Sequence, residues 1–260
     1  MAAATSPAEF LQLVGDPQRW QLLSHLSDSD HRVGELVELT GRAQNVVSYH
    51  LRELRDAGLI SGRRSSADGR DTYYRLDLDR YGELFGAAAS ALHPAVHLVP
   101  APPPAIDGRG RKPRVLFLCT GNSARSQIAE ALLEQRSGGA VEAKSAGSHP
   151  KTLHPNAVRV LAERGIDIAG RRTKHLDRYA RSRFDRVITV CDKVKEVCPE
   201  LPGAPVTAHW SIADPSTAGD TDDASYPAFE QVADELDRRV SHLVAQLAHR
   251  PDERSTHASH

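Results

Sequence analysis

Val115-Leu116-Phe117-Leu118-Cys119-Thr120-Gly121-Asn122-Ser123-Ala124-Arg125-Ser126 decides how the C-terminal half of this 260-residue chain is read. An apolar run ends in a cysteine, a short Gly-containing loop follows, and helical spacing begins at Arg125-Ser126. A strand that ends, turns and enters a helix makes a seat for a tetrahedral oxyanion. The backbone N–H groups of Thr120, Gly121, Asn122, Ser123 and Ala124 and the positive end of the helix face the anion. Arg125 can grip it bidentately. The same field favours the thiolate of Cys119, which is the nucleophilic form.

Outward from this loop the pattern alternates. It predicts strands over 114–119, near 141–145, over 186–191 and near 205–208, and helices over 123–137, 155–164 and 226–248. Strands alternating with helices indicate a parallel sheet, here of four strands, with ligand sites at the carboxyl ends of the strands. The other two cysteines, Cys191 and Cys198, lie seven residues apart after the apolar run Val187-Ile188-Thr189-Val190. An odd cysteine count and no Cys-x₂-Cys pair argue against a disulfide scaffold or a zinc site and for reactive thiols in a reducing compartment. The plain alternative is that Cys191 and Cys198 are buried small hydrophobes.

Composition fits two domains: 40% hydrophobic and 26% charged residues describe a globular chain. No apolar stretch approaches a membrane span and the start lacks a charged, then apolar, leader, so a cytoplasmic protein without membrane partners is expected. Pro100 to Pro113, with a triple proline and several Gly and Arg, reads as an extended linker. The expected division is a first domain over 1–99, a linker over 100–113, a second domain over 114–249 and a disordered tail over 250–260.

The first domain is helix-rich. Phe10, Leu11 and Val14 have helical spacing; Asp16 with Pro17 announces a second helix carrying Trp20, Leu22, Leu23 and Leu26. A short helix ends at Gly41, and the next, Ala43 to Ala57, stops at Gly58. Two helices joined by a tight turn form a helix-turn-helix whose second member enters the major groove of operator DNA. Gln44, Asn45, Ser48, Tyr49 and His50 are the candidates for base contacts, with Arg42 and Arg52 near phosphates. Alternation around Asp68-Gly69 then predicts a β-hairpin whose Arg63 and Arg64 lie along the minor groove. Residues 42 to 75 hold seven arginines against four acids, in keeping with that partner.

Residues 8–92, and Ala43 to Ile60 above all, resemble the ArsR family of winged-helix repressors. The resemblance implies a winged helix-turn-helix, mainly α with a β-hairpin, and a homodimer built on the first and last helices, about 8–15 and 78–92. Arsenite-sensing members carry paired cysteines before the recognition helix; here Arg32 to Leu39 holds none, which leaves the inducer unassigned. His93 and His97 resemble a zinc-sensing pair, but Pro94 and the lack of an acidic partner favour solvated histidines.

Residues 114–248 resemble the low-molecular-weight tyrosine phosphatase fold and, within it, the thioredoxin-coupled arsenate reductases. The matches are Cys119-x₅-Arg125-Ser126, Ser145-Ala146-Gly147, His209-Trp210 before Ala213-Asp214-Pro215, and the spacing of Cys191 and Cys198. The resemblance implies attack by Cys119 on bound arsenate, charge stabilisation by Arg125, a hydrogen bond from Ser126 to the thiolate and proton delivery by Asp214. Ser126 could equally be a helix cap and Asp214 a turn residue. It further implies a Cys119–Cys191 disulfide passed on to Cys191–Cys198, across a short, charged and exposed helix over 192–197 that must melt, and opened by thioredoxin or an equivalent thiol donor. No tightly bound cofactor is expected. The family's potassium site is matched by Asn122, Glu130 and Ser145, but its fourth position falls near Lys174-His175, where the lysine ammonium is the alternative occupant. The expected activity is arsenate reduction joined to transcriptional regulation; the rival is a low-molecular-weight protein tyrosine phosphatase joined to a DNA-binding regulator.

Overall fold

The computed structural model describes residues 6–96, 98, 106, 111–197 and 206–249. Most of the expected linker and all of the expected tail lie outside the described residues, as do His97 and Cys198. The chain divides into two compact units, one made by the first hundred residues, to which 208–211 are also assigned, and one by the remainder.

In the first unit, helix α1 (Pro7–Val14) opens on a capping box between Ser6 and Glu9, and α2 (Pro17–Asp28) on Asp16, whose carboxylate accepts from Gln18 N and Arg19 N at 2.9 and 3.0 Å. A two-residue strand β1 (His31–Arg32) precedes α3 (Val33–Thr40), which Gly41 ends in the left-handed conformation at φ 64°. Then come α4 (Gln44–Asp56), β2 (Ile60–Arg64), β3 (Thr72–Leu76) and α5 (Leu78–Leu92). The expected hairpin is therefore a three-stranded antiparallel sheet in the order β1-β3-β2. Two residues are too short to show alternation, so β1 leaves no periodic signal. Phe10, Leu22, Leu36, Leu51, Leu54 and Leu59 fill the core. Phe10 meets Tyr81 and Phe85 edge-on, joining α1 to α5.

The chain after the first hundred residues runs β4 (Arg114–Cys119), α6 (Arg125–Arg136), β5 (Glu142–Gly147), α7 (Pro155–Ala162), β6 (Arg186–Thr189), α8 (Asp192–Val197), β7 (Thr207–His209) and α9 (Asp222–Ala248). Its four-stranded sheet has the order β5-β4-β6-β7, with β4 parallel to both β5 and β6. Central β4 is buried from Val115 to Cys119. Because β5 and β6 flank it, a crossover reversal falls at its carboxyl end, where open α/β sheets bind ligands.

Several features differ from the sequence reading. Helix α9 starts four residues before the expected 226, because Thr221 caps it at Ala224 N and two acids occupy the first turn; Pro227 lies inside rather than opening it. Strand β5 runs on to Gly147, and a short 3₁₀ turn at Leu176–Tyr179 was not anticipated. Helix α8 exists as expected but is not exposed throughout, since Asp192 and Val194 are fully buried. Among the described residues, no helix is long and apolar enough to cross a membrane, and no group of three or more His, Cys, Asp or Glu is arranged to hold a metal ion.

Candidate active site

The loop after β4 is built from the outside in. Thr120 O accepts from His149 N at 2.8 Å, Gly121 O from Lys151 N at 2.9 Å and Ser123 O from His154 N at 2.9 Å. In a trans peptide the N–H points opposite to the C=O. Carbonyls held outward by segment 149–154 therefore turn the N–H groups of Gly121, Asn122 and Ala124 inward. Asn122 N indeed donates to Cys119 Sγ at 3.1 Å. The turn needs Asn122 at φ 47°, a left-handed conformation that asparagine tolerates better than most residues. Ala124, just before α6, adopts φ −142°, ψ −90° and leaves the first-turn amides of that helix without helical partners.

Cys119, Ser126 and Arg125 are all buried at this point. Cys119 Sγ lies 2.9 Å from Ser126 Oγ. Arg125 Nη2 donates to Asp214 Oδ2 at 2.6 Å and Nη1 to Ile212 O at 3.0 Å, so the Asp-Pro segment and the start of α6 are tied together. Asp214 also caps the 3₁₀ turn Pro215–Thr217, its Oδ1 accepting from Ser216 N and Oγ. Asp214 thus both caps a turn and pairs with Arg125. Thr120 Oγ1 lies 3.3 Å from Cys191 Sγ, which brings the second thiol to the residue after Cys119. Cys191 is fully buried and, like Cys119, a free thiol. Cys198 lies outside the described residues.

Glycine at 147 was matched in the sequence only as part of a motif; its physical reason is tertiary. A Cβ there would sit 2.6 Å from Thr120 O and 2.8 Å from Asn122 N, both backbone atoms of the anion loop. Nothing there is a flexible side-chain end that could yield. Gly147→Ala is expected to shift the loop, destabilising the unit by about 1–3 kcal/mol and lowering kcat/KM for an aryl phosphate by at least roughly tenfold. Paired thermal melts and initial rates check this.

The three residues matched to a cation site are linked to one another by hydrogen bonds, and one of them, Glu130, meets an ammonium. Lys174 Nζ lies 2.9 and 3.3 Å from the two carboxylate oxygens of buried Glu130. Ser145 Oγ donates to Glu130 Oε2, and Asn122 Nδ2 donates to Ser145 Oγ at 2.8 Å.

In the first unit Arg42, Gln44, Asn45, Ser48, Tyr49 and Arg52 are exposed on the turn and the leading face of α4, with Arg52 5.6 Å over the Tyr49 ring. One expected DNA contact needs correction. His50 is buried, with Nε2 3.0 Å from Gln18 Oε1, because it follows Val47 by three residues and so shares the helix face turned to the core. Arg63 is half-buried and donates to Arg64 O at 3.1 Å; Arg64 is exposed beside it.

Comparison with known proteins agrees with both halves. Residues 16–61 match the family described as bacterial regulatory protein, arsR family. An arsenate reductase of Halalkalibacterium halodurans is 36% identical over 126 residues, which are 48% of this chain and 91% of that protein. One of Bacillus subtilis is 36% identical over 130 residues, 50% of this chain and 94% of that protein. Among solved structures, an arsenate reductase in the phosphate-binding state is 29% identical, covering 52% of this chain and 98% of that one, with a TM-score of 0.46. Residues 114–253, more than half the sequence and all of the loop just described, match the low molecular weight phosphotyrosine protein phosphatase family, and the chain belongs to it.

Proposed function

We propose that this chain reduces arsenate to arsenite through Cys119, Cys191 and Cys198, and that its first unit is a DNA-binding regulator of the ArsR type. The observation that carries the enzymatic reading is the second thiol beside the nucleophile. Phosphate-ester hydrolysis has no use for it; reduction requires it. Val190 N donates to Leu118 O at 2.8 Å, extending the β4–β6 pairing to the residue before Cys191. A strand spacing of about 4.8 Å and a rise of about 3.3 Å put the Cα atoms of Cys119 and Cys191 roughly 6 Å apart, but successive strand residues face opposite sides, so the bond requires the segment after β6 to move.

The steps follow from these groups. Cys119 thiolate attacks arsenic(V), and a hydroxyl leaves as water with a proton from Asp214. Arg125 and the inward amides stabilise the equatorial oxygens. Cys191 thiolate then attacks Cys119 Sγ; the S–As bond breaks with its electrons left on arsenic, which departs as arsenite. Two thiols are oxidised to a disulfide while arsenic gains two electrons. Cys198 attacks Cys191, freeing Cys119, and an external dithiol of the thioredoxin class opens the Cys191–Cys198 disulfide. For this exchange α8 must come apart, which a six-residue helix does at little cost. Purified protein with arsenate, thioredoxin, thioredoxin reductase and NADPH should oxidise NADPH in proportion to arsenate. Aryl-phosphate hydrolysis without arsenate-dependent oxidation would instead make the protein a phosphatase.

For the first unit, the exposed polar face of α4 supports operator binding, with Arg42 and Arg64 on phosphates. Leu11, Phe85 and Leu92, 49%, 39% and 82% exposed on the packed pair α1 and α5, support a homodimer in which a second copy covers them.

A further inference from the structure

Helix α4 divides its side chains between two faces. Val47, His50, Leu51 and Leu54 are buried, whereas Gln44, Asn45, Ser48, Tyr49 and Arg52 are exposed. Residues 44, 48 and 52 are four apart, and 45 and 49 lie beside them, so these five form one surface opposite the core. No acid stands among them. Tyr49 alone of the five brings a large apolar surface, and 48% of the residue is exposed. A lone exposed aromatic side chain is ordinary. This one is held in place.

The Tyr49 ring meets the His50 ring at a centroid distance of 5.2 Å, with the planes 70° apart. His50 is itself fixed, being 9% exposed with Nε2 3.0 Å from Gln18 Oε1 in α2. Three residues on, the Arg52 guanidinium lies 5.6 Å over the Tyr49 ring, a cation–π arrangement. A ring with an aromatic neighbour beside it and a cation over its face keeps few alternative rotamers. It therefore loses little side-chain entropy when a ligand covers it. In the major groove, glutamine and asparagine suit adenine, arginine suits guanine and serine suits several bases, all through hydrogen bonds. The one apolar group presented there is the C5-methyl of thymine, and a fixed aromatic ring is its natural complement.

We propose that Tyr49 is a specificity-determining residue of the DNA-binding unit, its ring packing against the methyl group of one thymine in the major groove. His50 and Arg52 hold the ring for this contact. Arg52, expected from the sequence beside a phosphate, serves in this arrangement as the neighbour of the ring. The inference rests on the first unit being a DNA-binding regulator and is independent of what the enzyme unit reduces or hydrolyses.

The test begins with selection of duplexes from a random pool by the full-length protein. The enriched duplex is the probe, titrated at one fixed salt concentration, with each thymine replaced in turn by deoxyuridine, which lacks only the methyl group. At one thymine of the motif the replacement should weaken wild-type binding about fourfold, the transfer free energy of one methyl group written as an affinity ratio. Tyr49→Ala should bind the thymine and uracil forms of that duplex equally. Tyr49→Phe, which keeps the ring without the hydroxyl, should retain the fourfold ratio. A ratio of two duplexes cancels any general loss of affinity or of folded protein, so a merely structural role for the ring leaves it unmoved. An enriched motif with no uracil-sensitive position, a ratio unchanged in Tyr49→Ala or a ratio lost in Tyr49→Phe would each overturn the proposal. Enrichment of no sequence by the wild type would instead remove the DNA-binding reading itself, and the inference with it.

Discussion

Cys119→Ser is expected to eliminate arsenate turnover, with a loss on the order of 10⁴-fold or more. Serine is nearly isosteric with the buried thiol and keeps its neighbours Asn122 N and Ser126 Oγ, so the fold should remain. What disappears is the thiol proposed as the nucleophile: an alcohol next to these donors does not ionise near neutral pH, and no general base lies in the hydrogen-bond set around it. Aryl-phosphate hydrolysis should be lost in the same proportion, because both substrates share the first attack. The measurement is arsenate-dependent NADPH oxidation beside aryl-phosphate release, with far-ultraviolet dichroism to show that the variant is folded. Retention of either activity would remove Cys119 from the role assigned to it.

Cys191→Ser should separate the two activities. In the proposed sequence of steps the thiol at 191 takes no part in attack on the oxyanion; it lies 3.3 Å from Thr120 Oγ1, one residue along from Cys119. A serine hydroxyl can keep that contact, so aryl-phosphate kcat/KM should stay within about threefold and stability within about 1–2 kcal/mol, the cost of a buried hydroxyl with a partner. Arsenate-dependent NADPH oxidation should fall to background, since nothing can attack the Cys119 sulfur and expel arsenite. Sustained multiple turnover in this variant would refute the relay; parallel loss of phosphate hydrolysis would show instead that Cys191 packs the loop.

Much of this site is legible in the chain because it is local. A strand, a cysteine, a loop and a helix start occupy twelve consecutive residues, and Cα geometry leaves few ways to connect them. The helix-turn-helix is legible for the same reason: Asp16, Gly41 and Gly58 mark boundaries by capping chemistry that acts within a turn or two. His50 was misread because exposure depends on which face of α4 packs, and a polar side chain with a buried partner in α2 does not announce itself. Strand β1 was missed because its two residues are strand only by pairing with β3.

The amino-acid sequence by itself determined the two-part organisation, the loop that follows Cys119 and the presence of a second and third thiol. Tertiary structure alone decided what those residues face. The inward direction of the loop amides comes from segment 149–154, the requirement for glycine at 147 from the loop passing against β5, and the neighbourhood of Cys191 and Cys119 from the pairing of β6 with β4. The ammonium behind the loop comes from Lys174, 44 positions after the carboxylate that it meets. Hydrogen bonds and ion pairs act over a few ångströms, and only folding makes residues so distant in the chain neighbours at that range.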